Sequence, residues 1–490
     1  VIARNEAQAR RAQAEDLIDF MLGDLQEQLH RIGRIDVFQS VGDKALEYFA
    51  AQKTENESDR TLSQRAKNLR QIGNTRMSQG NQEAALEAFN ESLLISEHMA
   101  QRAPQDAEAQ IAMANSLFYV GFVHWQRGEL RKARGIFESI IPIVESVSAR
   151  EPGNPEWLAE LSYANTNLGR VLELEGAYAE ALTAYVAVME VNERLLQLEP
   201  NNFEWQVELG FAHNNLGKLY TALGRLNDAE SHYRTDLKIK AQALADNPGH
   251  NLYRDYLGVS QYYLGELLVN RGNYAEAEKL LTAAHTHFLF LVEVDTSHKR
   301  WRSRQADIER ELGKLYMLTG RAVEGSASLT HSITGLEAVL LDEQANAQRR
   351  RDLLRSLLLQ EDFRTRSADA TANGQAANAI RNHIGILLEQ EPGNLDTMQL
   401  IAYADICEAR TKPTDSSTAL LQSTLDQLEQ YFPETRNPPV LVLKSEALSS
   451  LGRTTEAAAI NENLDGIGYK GLTARVPGTA NTAKEDSPKK

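Results

Sequence analysis

Small and bulky apolar positions recur along this chain with one fixed step. Gly73, Gly121, Gly169, Gly217, Gly265 and Gly313 stand 48 residues apart, and so do Gly80, Gly128, Gly176, Gly224, Gly272 and Gly320. Ala85, Ala133, Ala181, Ala229 and Ala277 keep the same step. A bulky column, Phe89, Phe137, Tyr185, Tyr233, Leu281 and Leu329, follows each of these small residues. Pro104, Pro152, Pro200 and Pro248 repeat in register, as do Trp157, Trp205, Tyr253 and Trp301. Self-similarity of this kind marks a repeat array, whose units pack only on their neighbours. Each unit predicts two antiparallel helices. The first Gly and the Ala let the helices approach closely, and the second Gly ends helix A as a C-terminal cap. The bulky residue fills the space between one hairpin and the next, and Pro stops helix B.

The order is most complete at Leu216, Gly217, Tyr220, Gly224, Ala229 and Tyr233. It resembles the tetratricopeptide repeat. The resemblance implies an all-α, right-handed superhelical solenoid of antiparallel hairpins, with helix A of each unit lining a concave groove. The usual unit has about 34 residues, so the 48-residue step here leaves an excess. It divides between the end of helix B and the start of helix A, about two turns in each place, which keeps the inward face inward. Helices of about 20 residues, roughly 30 Å long, follow.

Six such units are expected over residues 59–340. Degenerate hairpins are expected over 341–470, where Gly374, Pro413 and Gly452 stand 39 apart. The tail, residues 471–490, is rich in Thr, Lys, Pro and Ser and is expected to be disordered. Residues 1–58 lie outside the register. Leu17, Ile18, Met21, Leu22, Leu25 and Leu29 form an apolar stripe there, which predicts a helical capping segment. The phrase RNEAQARRAQAEDLIDFMLGDLQEQLHRIGRIDVFQSVGDKAL also resembles the start of the helical-repeat regions of bacterial multidomain signalling proteins. In those proteins such a region follows a transmembrane helix, with a kinase or TIR-type effector ahead of it. The resemblance implies a bacterial chain anchored in the membrane upstream of residue 1, with its repeats in the periplasm. Arg4, Arg10 and Arg11 would by charge favour the cytoplasmic side instead, and both placements stay open.

Composition narrows the function classes. The net charge of −16 argues against nucleic acid, which needs a basic face. The basic stretches His298–Arg304 and Arg349–Arg355 read as solvated helix faces. Cys407 is the single cysteine, which rules out an intramolecular disulfide and a thiolate metal cluster. No apolar run approaches the length of a membrane span.

Candidate chemistry is sparse. No histidine stands in H-E-x-x-H, and His285 and His287 would point in different directions on a helix. His124 occupies a packing column. No phosphate-cradling glycine loop and no G-x-S-x-G is present. Asp307 and Glu311 share a helix face, a spacing that acidic helices produce by default. No metal and no cofactor is implied, and the chain reads as a non-enzyme.

A groove remains. Counted from the small Gly, the inward positions are Asn115, Phe118, Phe122 and Trp125; then Tyr163, Thr166, Arg170 and Glu173; then Phe211, Asn214, Lys218 and Thr221; then Val259, Tyr262, Glu266 and Val269. Aromatics beside Asn and two cations suit an extended peptide. The candidate peptide-binding residues are Phe118, Phe122, Trp125, Tyr163, Arg170, Phe211, Asn214, Asn215, Lys218 and Tyr262, with Arg170 and Lys218 projecting in parallel. Arg70 and Asn74 match part of the family's carboxylate clamp, but Tyr119 stands where its next Asn would be. The expected function is a protein- or peptide-binding scaffold, the sensing or partner-recruiting region of a larger signalling protein. The alternatives are the regulatory region of an enzyme whose catalytic domain lies upstream, and a self-assembling, homo-oligomeric solenoid.

Overall fold

The computed structural model describes Lys44 and residues 59–78, 80–344, 346–366 and 374–471. The N-terminal capping segment, with its signalling-protein phrase, and the tail 472–490 lie outside the described residues. Among the described residues the structure is helical throughout, without strands. It forms two compact units, residues 1–198 and 199–490. Their boundary falls inside the array that the 48-residue step marks as continuous.

The first unit holds α1 (Asp59–Ser78), α2 (Gln82–Arg102), α3 (Ala107–Gln126), α4 (Leu130–Arg150), α5 (Pro155–Leu174) and α6 (Tyr178–Leu198). The second holds α7 (Phe203–Ala222), α8 (Leu226–Asp246), α9 (Asn251–Asn270), α10 (Tyr274–Val294), α11 (Lys299–Leu318) and α12 (Ala322–Asp342). It continues through α13 (Ala347–Thr365), α14 (Gly374–Gln390), α15 (Leu395–Ala409), α16 (Thr414–Tyr431), α17 (Pro438–Ser450) and α18 (Thr454–Gly466). Odd-numbered helices are the A helices and even-numbered ones the B helices; each A packs on the B that follows it.

Three columns explain the hairpin. A Cβ built on Gly73, Gly121, Gly169 or Gly217 would stand 2.3–2.6 Å from a ring atom of Phe89, Phe137, Tyr185 or Tyr233, the bulky residue of the same hairpin. At Gly265 and Gly313 the clash would be with Leu281 and Leu329, at 2.8 Å. The bulky side chain therefore closes its own hairpin first. It also reaches the next one in places, as where Phe89 stacks on Tyr119 with ring centroids 5.0 Å apart. The Ala column, from Ala85 to Ala277, is fully buried. The second Gly column is left-handed at every member, with φ between 69° and 81° from Gly80 to Gly320, a conformation that side chains disfavour.

Helix starts carry a fourth column that the glycine and proline spacing does not reveal. Asp106, Asn154, Asn202, His250, His298, Asn346 and Asn394 are the N-caps of successive A helices, each 48 residues after the last. Side chains of Asp106, Asn154 and Asn202 accept the backbone N–H two residues on, at 2.9–3.0 Å. Asn346 and Asn394 accept the N–H three residues on, at 3.1 and 3.0 Å. The A-helix register thus persists to α15, beyond the point where the glycine columns fade; after α12 both A and B helices shorten, to 13 residues each in α17 and α18.

The glycine–aromatic contact predicts a coupled pair of substitutions. Tyr233→Ala should lower stability by roughly 3–5 kcal/mol through the cavity it leaves. Gly217→Ala should lower it by about 1–3 kcal/mol, because the new methyl meets the Tyr233 ring. Together they should cost less than the sum, since the methyl then has room. Urea unfolding of the three variants measures this, and strict additivity would show that the two positions do not touch.

Candidate functional site

In the first unit, the expected inward aromatics of α3 come together. The Phe118 and Phe122 rings stack with centroids 6.0 Å apart, and Trp125 meets Phe122 edge-on at 6.0 Å. All three side chains are half-buried. Their inner edges rest on Phe137, whose centroid is 6.0 Å from Phe118 and 6.5 Å from Trp125. On α5, Tyr163 and Arg170 are exposed. Glu173 accepts the Tyr185 hydroxyl at 2.9 Å, and that buried phenol is pushed up, first by burial and then by the Glu173 charge. Asn115 hydrogen-bonds Glu160, whose carboxyl is raised by burial. This face therefore offers an apolar aromatic row on one helix and a solvent-facing guanidinium on the next.

Arg70 is engaged within the protein. Its guanidinium points to Ser92 and Ser116, at 3.5 and 3.3 Å, and burial lowers its pKa. Tyr119 is engaged with Phe89.

The second unit places its five candidate residues differently. Asn214, Asn215 and Tyr262 are buried. Asn214 donates to Asp236 at 3.3 Å. Phe211 meets Tyr256 edge-on at 4.7 Å, and the Lys240 ammonium lies 4.1 Å from its ring centroid. Lys240 is itself buried, 2.7 Å from Asp236. These side chains are committed to packing on α8 and α9. Lys218 keeps partial exposure, its ammonium 5.6 Å from the Tyr263 ring. Arg170 and Lys218, expected to project as a pair, belong to different units.

Of the two basic stretches, the first keeps Arg300 exposed, whereas the second is not a solvated face. Arg350 and Arg351 are buried. Arg350 donates to the Gln344 carbonyl at 2.5 Å, and Arg351 pairs with Glu391. Arg300 pairs with buried Asp255 at 3.2 Å. The A helices carry these cations because the helices beside them carry acids.

A dense charged network lies across α9, α11 and α13. Arg310 donates to Asp307 at 2.8 Å, to Tyr262 at 3.0 Å and to Glu311 at 3.3 Å. Arg304 reaches Asp307 at 3.3 Å, and Arg355 reaches Asp352 at 2.8 Å. Lys314 donates to the Asn270 side chain at 2.7 Å. Burial, and then the Glu311 charge, push the Glu266 carboxyl up to about 7. Asp307 is raised too, by burial and then by Asp352. Asp307 and Glu311 are thus ion-pair partners of Arg310. His285 pairs with Glu309 at 3.1 Å, and His124 with Glu129 at 2.6 Å.

The chain's own C-terminal part covers this network. Leu464, Tyr469 and Val442 belong to one apolar cluster with Tyr262, Leu264, Leu267 and Leu312. At the left-handed turn after α7, a Cβ on Gly224 would stand 3.0 Å from the Arg436 carbonyl and 3.3 Å from Ile467. At the turn after α9, a Cβ on Gly272 would stand 3.6 Å from the Lys470 side chain. The Asn270 carbonyl accepts the N–H of Lys470 at 2.6 Å and of Gly471 at 3.1 Å. Nothing periodic in the sequence announces this contact.

Among the described residues no group of three His, Cys, Asp or Glu is placed to hold a metal. None of the helices there is long and apolar enough to cross a membrane.

Residues 214–250 match the family model described as Tetratricopeptide repeat. The described residues form an all-helical repeat array, and within it residues 214–250 are of tetratricopeptide type. No curated protein matches it. Among solved structures it is similar to BtubC (BKLC) from P. vanneervenii, at 15% identity over 52% of this chain and 92% of that one, with a TM-score of 0.42. It is also similar to a Rap protein complexed with competence and sporulation factor, at 12% identity over 91% of this chain and 99% of that one, with a TM-score of 0.45. A tetratricopeptide repeat protein from Parabacteroides merdae is similar at 15% identity over 68% of this chain and 98% of that one, with a TM-score of 0.32.

Glu266 yields a pH prediction. An unfolded Glu ionises near about 4.3, whereas Glu266 is held up to about 7. Its contribution to stability is intact below the unfolded value and is lost as pH rises through the folded one. Glu266→Gln avoids that loss. The variant should match the wild type near pH 4 and exceed it by roughly 1–3 kcal/mol at pH 8. Unfolding midpoints at the two pH values decide this, and an equal gap at both would contradict it.

Proposed function

We propose that this chain is a binding scaffold that holds an extended, acidic protein segment on the A-helix face of its first unit. The observation that carries the reading is the half-buried row Phe118, Phe122 and Trp125 on α3, with Arg170 exposed on the next A helix, α5. Aromatic edges left in contact with solvent give a peptide apolar seats at little ordering cost. A guanidinium beside them pairs with a carboxylate in a fixed geometry. Tyr163, exposed on the same helix as Arg170, widens the apolar strip.

The resemblance of residues 4–46 extends the proposal. In this reading the chain is the sensing or partner-recruiting region of a larger, membrane-anchored bacterial signalling protein, and it acts by binding and not by turnover. An apolar stretch of about 20 residues encoded ahead of residue 1 would support the anchor. An effector module encoded there with no such stretch would support the cytoplasmic alternative.

The binding test uses linear peptides selected from a random displayed library on the full chain. Acidic sequences with an apolar side chain should be recovered. Arg170→Glu should weaken them about tenfold, equivalent to ~1.4 kcal/mol, and leave the melting temperature unchanged because Arg170 is exposed. Phe122→Ala should weaken the same peptides. Selected peptides that bind both variants as tightly as the wild type would place the site elsewhere.

A further inference from the structure

Two histidines meet inside the α7–α8 hairpin. His213 lies one turn before Gly217 on α7, and His232 directly precedes Tyr233 on α8. The close approach of Gly217 and Tyr233 fixes how these two helices cross, so both imidazoles are carried on rigid backbone. Their Nδ1 atoms converge at 2.8 Å, with ring centroids 5.0 Å apart and ring planes tilted by 43°. As neutral rings they share one hydrogen bond, in which one Nδ1–H donates to the other Nδ1. Both side chains are half-buried, so neither is sealed from solvent.

Packing of the repeat does not require this pair. The equivalent positions hold Leu117 and Ile136 in the α3–α4 hairpin, and Gln261 and Leu280 in the α9–α10 hairpin. Burial, and for His213 then the neighbouring His232, lower both pKa values, that of His213 to about 4. The rings therefore stay neutral at pH 7 and keep the lone pairs that a metal needs. The charges around them nearly balance. Asp228, one turn before His232 on α8, is paired with Arg225 at 2.7 Å.

The separation of the two nitrogens selects a geometry. Metal–imidazole bonds are about 2.0–2.1 Å long. Drawn from nitrogens 2.8 Å apart, they enclose an angle of roughly 85–90°. A tetrahedral zinc site would instead need the nitrogens about 3.3–3.4 Å apart. A right angle between nitrogen donors is the habit of square-planar or tetragonal copper and nickel, and copper stands highest in affinity among the divalent first-row ions.

We propose that His213 and His232 form a two-imidazole site for a divalent copper or nickel ion, bridging α7 and α8. Water completes the coordination, since among the described residues no third His, Cys, Asp or Glu is placed to join them. Ligation through both Nδ1 atoms puts each ring's proton on Nε2, so the neutral pair binds the ion without net proton release. The site lies wholly in the second unit. It does not rest on the peptide reading of the first, and Arg170→Glu should leave it unchanged.

The probe is Cu²⁺ itself, titrated at neutral pH into the full chain and into His213→Ala and His232→Ala. The wild type should show a saturable one-to-one site whose electron paramagnetic resonance carries the splitting of two equatorial imidazole nitrogens. Losing only a hydrogen-bond partner of a metal ligand costs about 10–100-fold in affinity, so losing a ligand should weaken this site at least about tenfold. No saturable binding, or variants that bind Cu²⁺ as tightly as the wild type, overturns the proposal. If a variant does not fold, proton magnetic resonance of the wild type decides. Substoichiometric Cu²⁺ that broadens the His213 and His232 ring signals first supports the site, and broadening that begins at other histidines overturns it.

Discussion

Everything in each repeat depends on one contact, a bulky side chain of helix B lying where a Cβ of helix A would be. The distances of 2.3–2.8 Å from the missing Cβ leave no room for even a methyl group. The contact fixes where the helices cross, and it fixes rotation, because only one face of helix A has the gap. Once the crossing is fixed, the Ala column meets helix A at full burial and the left-handed glycine sets how the chain turns back. The outward consequence is that the same residues of every A helix face the same way. That repetition is what sets Phe118, Phe122 and Trp125 on α3 and Arg170 on α5 at corresponding faces of successive A helices.

This geometry was legible in the sequence because it depends on residue size at fixed spacing. Glycine, alanine and a ring in a constant order fit few arrangements besides a closely packed hairpin. The N-cap column was less legible, since Asp, Asn and His replace one another there. Any of the three can start a helix, although His250 accepts no capping bond. The caps hold the register to Asn394, past the last glycine pair, because starting a helix needs only an acceptor, whereas closing a hairpin needs matched volumes.

The charged network was not legible, for a physical reason. Arg304, Asp307, Arg310 and Glu311 alternate along α11 as charges do on an exposed helix. Whether such a face is solvated depends on what covers it, and that is set by residues far away in the chain. Here the partners come from α9, α13 and the segment around Tyr469. Asn214, Asn215 and Tyr262 fail as solvent-facing positions in the same way: their place on the A helix follows from the repeat, and their cover does not. In the first unit Phe118, Phe122, Trp125, Tyr163 and Arg170 keep some exposure.

Burying so many charges is a poor way to gain stability. Desolvation offsets most of the attraction in a buried pair, and an apolar substitute often does as well. What such a network gains is discrimination, since each charge tolerates few neighbours. Glu266 shows the cost, with its carboxyl pushed to about 7. An apolar cover over this face would be held by area alone and would accept many segments. A cover that must lay a tyrosine against two carboxylates and donate two N–H groups to Asn270 is held by fewer, more particular contacts. The charged part of the second unit's A-helix face is thus held by particular contacts, Tyr469 among them.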